Sequence, residues 1–274
     1  MEGCQPQEEY NPIANRETRQ SNLLAWANSH MSSLLPDRAR VCGQRYSERR
    51  RCGKVGWADE DSYAQKQGVV RRILAGGRLP RRCRVLELGC GNGRVTLFTA
   101  RKGHDAYGMD IVPEAIDWAR QQAREQGIEA HFTVGNVVTL SAYADAFFNL
   151  VFDADCLFMI IGKDRKTCVE NVFRILKPGG IFYAKAHLVN EKIKTRTRLG
   201  GKNYFDPKGQ YSTVEGLPMY YFSREQEFKT LIERAGFKIL RHRTNPKPAA
   251  RARVPFYAAD MWIEAVRPLP RSRF

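Results

Sequence analysis

From Ser62 onward the hydrophobic positions of the chain switch repeatedly between two spacings. Short apolar runs at Arg84-Val85-Leu86, His104 to Asp110, Ala130 to Val134, Phe147 to Phe152 and Ile181 to Ala186 read as strands. Between them lie segments with apolar residues three and four positions apart, the mark of helices with one inward face. Ser62 to Ala75 presents Val69, Val70, Ile73 and Leu74, and Gly76-Gly77 stops it. Arg94 to Lys102 closes at Gly103. Pro113 to Gln126 turns Ala115, Ile116, Ala119 and Ala123 inward, with proline in its first turn and Gly127 just past its last. Asp164 to Leu176 ends at Lys177-Pro178-Gly179-Gly180. Strand and helix in strict alternation predict a parallel, doubly wound sheet. Phe147 to Phe152, nearly continuous in apolar character, suits a central strand covered on both faces.

The alternation breaks after the fifth strand. Residues 188–222 form an irregular, aromatic-rich segment with Tyr204, Phe205, Tyr211, Tyr220, Tyr221 and Phe222, and a loop of that length inside a compact domain is usually a functional cover. Ser223-Arg224-Glu225-Gln226 then reads as a capping box opening a helix that closes at Ala235-Gly236. Phe237 to Arg241 and Met261 to Val266 supply a sixth and a seventh strand, joined by Asn245 to Tyr257. At the other end, residues 1–55 show little periodicity beyond a short helix expected around Asn22 to Leu35, ended by Pro36-Asp37. Arg38 to Lys54, basic and carrying two Cys-Gly pairs, reads as a loop or mobile arm. It is either an extension without catalytic part or a cover.

Candidate chemistry concentrates at Glu87-Leu88-Gly89-Cys90-Gly91-Asn92-Gly93, between the first strand and its helix. Three glycines permit a tight reversal and let backbone N–H groups approach a ligand at a helix N-terminus. The next strand ends on Asp110, an acid placed to reach a ribose. The pattern implies an adenosine-type cofactor. A dinucleotide fingerprint would need glycine where Arg94 stands, and no Gly-Lys-Ser/Thr ending marks a phosphate-cradling loop.

Taken with the Gly135-Asn136 turn, the strand Phe148 to Asp153 and Leu176-Lys177-Pro178-Gly179-Gly180, the acid-x-Gly-x-Gly-x-Gly run resembles the class I S-adenosylmethionine-dependent methyltransferases from about Tyr63 to Pro268. The resemblance implies a Rossmann-like α/β fold: a seven-stranded, mostly parallel, doubly wound sheet whose sixth and seventh strands form an antiparallel edge hairpin. It implies an N-terminal extension over 1–55, a methyltransferase domain over 56–268 with 188–222 as a substrate lid after the fifth strand, and a basic tail over 269–274. S-adenosyl-L-methionine is the implied cofactor. Gly89, Cys90, Gly91 and Gly93 would pack the backbone against its methionine and ribose. Glu87 would hold the turn or receive the ammonium. Asp110 would accept the ribose hydroxyls, with Ile111 over the adenine. Asn136, where many relatives have Asp, would read the adenine amino group beside Val137, or simply form the turn. Asp153 would lie near the methionine end or form a turn. Direct displacement needs an aligned acceptor and, for a hydroxyl, benefits from a base. Asp155 and His187 are the candidates, His187 alternatively as a polar plug. Tyr63 could close over the methionine end. Phe158-Met159 stands where many relatives carry a His pair.

The formal net charge is +16. Arginines gather in 38–51, 71–84 and 241–273, which suits either nucleic-acid affinity or basic solvated faces. No RNA-binding motif accompanies the charge, and the Asn/Asp-Pro-Pro-aromatic motif of base-amino methylators is replaced by Asp153-Ala154-Asp155-Cys156, so a small-molecule acceptor is favoured. Seven scattered cysteines without Cys-x-x-Cys spacing read as free thiols, and no metal site is expected. No apolar run approaches the roughly 20 residues of a membrane span, and Met1 to Pro6 lacks a signal-peptide pattern, so a cytoplasmic protein is expected. A cofactor-binding protein with chemistry other than methylation is the remaining alternative.

Overall fold

The computed structural model describes residues 34–153, 155–246 and 254–270. The expected helix near Asn22 lies outside these residues up to residue 33. The following segment differs from expectation. Leu35–Arg51 is a helix, α1, with Pro36 in its first turn beside Asp37 and Arg49, Arg50 and Arg51 in its last. Proline there starts a helix, since its missing N–H would have no partner in that turn, and both charge sets match the helix dipole. α2 (Glu60–Leu74) begins two residues before the expected start, because Asp59 accepts the Ser62 N–H at 2.8 Å and caps it.

The alternating core follows as β1 (Arg84–Leu88), α3 (Arg94–Arg101), β2 (Asp105–Asp110), α4 (Pro113–Glu125), β3 (His131–Val134), β4 (Phe148–Asp153), α5 (Asp164–Ile175) and β5 (Leu176–Val189). β3, β2, β1, β4 and β5 lie side by side, all parallel. β5 begins earlier than expected, with Lys177 to Gly180 as a register shift inside it. Beyond β5, β11 (Tyr257–Val266) and β10 (Lys238–Pro246) add antiparallel. The strands read from the sequence are therefore present, but among the described residues they are part of a sheet of 11 strands rather than seven. Its central strand β4 is buried at every position. Phe148, Val151, Phe182, Val169, Val172 and Phe228 fill the core on one face, while Leu150, Phe152, Tyr183 and Val70 pack on the other.

The segment 188–222 is not irregular. It holds four strands: β6 (Thr197–Gly200), β7 (Asn203–Asp206), β8 (Tyr211–Val214) and β9 (Leu217–Ser223), an antiparallel meander. β9 joins β5 in parallel through His187 and Leu188, on the side where β4 has already ended. The meander thereby extends the sheet over the carboxyl end of β4. α6 (Glu225–Arg234) follows, and its N-cap is Arg224 rather than Ser223. The Glu227 carboxylate accepts the Arg224 N–H at 3.2 Å.

Candidate functional site

The carboxyl ends of β1, β2 and β4 open into one crevice of about 1150 Å³, its mouth included. That is where ligands of open α/β sheets bind. Glu87, Gly89, Cys90, Gly91, Asp110, Ile111, Asn136, Val137 and Asp155 all line it, whereas Gly93, Asp153 and His187 do not.

The glycine turn sets the floor. Gly91 has φ +53°, and a Cβ there would sit 2.3 Å from the Tyr46 hydroxyl oxygen of α1. A side chain at Gly89 would meet Cys156 at 2.7 Å. The backbone is thus bare toward the crevice because neighbours already occupy the space a side chain would take. Gly93 instead N-caps α3 and packs on Phe132 and Ala119. Asp110 is buried, with Oδ2 accepting the Gly91 N–H at 2.9 Å and Oδ1 the Val112 N–H at 3.0 Å. Burial raises its pKa against these two bonds. Each oxygen keeps a lone pair for a further donor. Glu87 accepts from the Thr96 hydroxyl at 2.5 Å, and burial pushes its carboxyl up to about 7.

Three expected positions serve the fold. The Asn136 side-chain oxygen accepts the Val138 N–H at 2.8 Å, a turn-forming bond, while the residue still lines the crevice. Asp153 is fully buried and accepts three backbone N–H groups: Cys156 and Leu157 at 2.9 Å and Lys185 at 3.1 Å. It therefore ties the turn after β4 to β5 instead of reaching the methionine end of a cofactor, and burial carries its carboxyl to about 6. His187 is 2% exposed, ringed by Phe158, Phe222 and Tyr257, with Nδ1 2.6 Å from Asp260 Oδ1. Burial lowers its pKa despite Asp260. These are the surroundings expected of a polar plug, and His187 does not line the crevice.

Asp155 does face the crevice, at φ +117°. Lys66 Nζ of α2 lies 2.7 Å from one of its oxygens and Lys185 Nζ 2.9 Å from the other. Burial opposes its ionisation, yet the two ammonium groups hold it well below the usual carboxylate range. A carboxylate so stabilised is a weak base. Lys185 also approaches Asp260 at 3.5 Å, so Lys66, Asp155, Lys185, Asp260 and His187 form one row from α2 to β11.

Several lining residues escaped the sequence reading because they come from α1 and its surroundings: Arg38, Cys42, Tyr46, Trp57 and Lys66. Proline followed by an acid, with arginines one helix-length later, was the available signal. Tyr63, which was anticipated, also lines the crevice, its hydroxyl receiving the Trp57 N–H at 3.0 Å.

The family model described as a methyltransferase domain matches residues 85–180, from β1 into β5. A solved S-adenosylmethionine-dependent methyltransferase of Methanosarcina mazei is 25% identical, with a TM-score of 0.56 over 71% of this chain and 97% of that one. Residues 85–180 are thus a methyltransferase domain, in a chain similar to the class I S-adenosylmethionine-dependent methyltransferases. Among curated relatives, an S-adenosyl-L-methionine-dependent Diels-Alderase of Talaromyces variabilis is 28% identical over 62% of this chain and 58% of its own length. A 2-heptyl-1-hydroxyquinolin-4(1H)-one methyltransferase of Mycobacteroides abscessus is 28% identical over 43% of this chain and 51% of its own. The matched region thus spans somewhat over half the length of these two relatives. S-adenosyl-L-methionine is the family's cofactor, and the crevice fits it on its own features: a bare glycine turn, a carboxylate with free lone pairs, and the apolar side chains of Ile111, Val112 and Val137.

Proposed function

We propose that this protein is an S-adenosylmethionine-dependent methyltransferase acting on a small, largely apolar acceptor. The observation carrying the proposal is the joining of Asp110 to Gly91 across the first two strand ends, inside a crevice that α1 covers. In this reading Asp110 accepts the ribose hydroxyls, the Gly89 to Gly91 backbone lies along the ribose and methionine, and Ile111 and Val137 flank the adenine. Asn136 contributes its remaining capacity after holding its turn. Glu87 or Asp155 neighbours the ammonium. When bound, the cofactor supplies an electrophilic methyl group on a sulfonium.

The chain's own residues do the rest. Leu35, Tyr46, Trp57, Met159, Ile160 and Ile161 line an apolar chamber that excludes water and orients the acceptor. A recessed, partly enclosed crevice suits a small molecule better than a nucleic acid, and the relative named for a hydroxyquinolone supports that class. His187 and Asp155 act as positioning groups: one is sealed from the crevice and the other is held ionised by two lysines. That arrangement favours acceptors that arrive without a proton to lose. It is also the observation favouring the second reading, cofactor-dependent chemistry without methylation, toward which the Diels-Alderase relative points.

Calorimetric titration with S-adenosylmethionine and S-adenosylhomocysteine tests the first step, and labelled methyl transfer across a panel of small hydroxyl and amine acceptors tests the second. Saturable binding with transfer to a member of the panel is expected. Absence of binding overturns the proposal. Binding with accelerated acceptor conversion but no transferred label favours the second reading. Stabilisation that bulk tRNA enhances in a salt-dependent way would move the acceptor to RNA.

A further inference from the structure

Arg38 is an arginine in an unusual setting. It sits on α1, is 8% exposed, and lines the crevice. One guanidinium nitrogen, Nη2, donates to the backbone oxygens of Met159 and, at 3.2 Å, Met219. Its Nε–H is buried without a hydrogen-bond partner, and the hydrogen bonds its guanidinium makes among the described residues go to backbone oxygens, not to a carboxylate. A buried cation with an unmet donor costs several kcal/mol unless something answers it. The neighbouring titratable groups are Cys42, Cys156, Tyr220 and Asp164, and Asp164 lines the same crevice. Burial lowers the Arg38 pKa, and these groups offset it only in part. Around it the wall is apolar, formed by Leu35, Ala39, Met159, Ile160 and Ile161.

We propose that Arg38 recognises a deprotonated oxygen, a carboxylate or an ionised acidic hydroxyl, on the apolar acceptor that enters this crevice. The inference rests on the methyltransferase reading and names the acceptor class for it. Two features of the structure converge. The unmet N–H and only partly offset charge of Arg38 call for an anionic oxygen, and guanidinium is the side chain best suited to hold one in a dry site. The opposite wall offers Asp155 already clamped between lysines, and His187 points elsewhere. An acceptor that binds already ionised needs neither as a base. Tyr220 strengthens the location: its hydroxyl is 3.3 Å from Arg45 of α1, and its ring stacks on Phe158, so α1, the turn after β4 and β9 close around the guanidinium together.

The probe is 4-nitrophenol, whose phenolate is yellow and whose phenol is colourless. Wild-type protein, first shown to bind S-adenosylhomocysteine, is saturated with it and titrated with the probe across the probe's ionisation range. The expected result is preferential binding of the anion by about tenfold, seen as a bound ionisation midpoint about one pH unit lower than in free solution. Arg38→Met should abolish the preference, and Arg38→Lys should restore part of it. Equal affinity for phenol and phenolate, or no binding by wild type at millimolar probe, overturns the proposal, and so does a preference that survives in Arg38→Met. The wild-type measurement decides the matter even if Arg38→Met fails to fold. If S-adenosylhomocysteine does not bind but the unloaded protein still prefers the phenolate, the cofactor reading falls while the Arg38 site stands.

Discussion

Asp110 and Asp153 end strands that flank β1 on either side, and both are buried acids bonded to backbone N–H groups. They nevertheless do opposite things. Asp110 receives one N–H on each oxygen, one from Gly91 in the turn after β1 and one from Val112 just past its own strand, and it lines the crevice. Asp153 receives two N–H groups on one oxygen and a third, from β5, on the other, and is sealed inside the sheet. The glycine turn after β1 leaves space above Asp110, whereas the turn after β4 folds back over Asp153. A carboxylate at a strand's carboxyl end is therefore a ligand group only where the adjoining loop leaves it an open side.

Removing each acid in turn gives the sharpest separation. Asp153→Ala strands three buried donors and should lower stability by about 3–5 kcal/mol, read from the denaturant midpoint. The folded fraction should keep its affinity for S-adenosylhomocysteine. Asp110→Ala should do the reverse, weakening cofactor binding by about 1.5–3 kcal/mol, roughly 10- to 150-fold in calorimetry. Unaltered affinity would remove Asp110 from the site. If Asp153→Ala proved harmless to stability but harmful to binding, the contrast itself would collapse.

Smaller changes probe the open side. Gly91→Ala places a side chain at φ +53° against the Tyr46 hydroxyl and should cost about 1–2 kcal/mol. It should also loosen α1, detectable as faster proteolysis within 35–51. Adding Tyr46→Phe removes the clashing oxygen and should recover part of the loss; no recovery would mean that Tyr46 does not press on the turn. The smallest effect concerns Glu87. Its folded pKa, about 7, lies above the unfolded value, so its contribution to stability is full below about pH 4.5 and is lost as pH rises through 7. Asp153 adds the same sign up to about 6, while His187, lowered by burial, works in the opposite direction. Glu87→Gln isolates the first contribution: its Tm relative to wild type should rise by roughly 2–4 °C between pH 5 and 8. A difference that stays constant with pH would mean Glu87 does not titrate in that range.

What the sequence disclosed follows the same division. Glu87 to Gly93 and Asp110 could be read because a contiguous run of glycines and a strand-end acid encode one local geometry. For Asp153 and His187 the sequence leaves two readings open, because strand-end position alone says nothing of whether a neighbouring loop or strand covers the side chain. Arg38, Tyr46 and Lys66 were missed for a different reason: they reach the crevice by tertiary packing of α1 and α2, and a helix with so many arginines shows only a faint apolar stripe, Val41, Cys42 and Tyr46. Pro36 reads as a stop for the segment before it, although the same residue opens α1. In 188–222 the turns at Gly200-Gly201 and Glu215-Gly216 marked hairpins, but strands of four residues are too short for alternation to stand out.

The pinning of α1 by Arg38 to the backbone of Met219, 181 residues away in the chain, carries a consequence for biosynthesis. α1 is made early, yet its docking surface includes β9, which leaves the ribosome only after most of the sheet has been translated. Until then the arginine has only the Met159 carbonyl to bond, and the wall that β9 completes stays open. Contacts of such separation are slow to close and are formed late. The competence of the binding chamber is therefore tied to synthesis through β9, and a nascent or truncated chain ending before Met219 would carry the entire glycine turn and still lack the second carbonyl that pins α1.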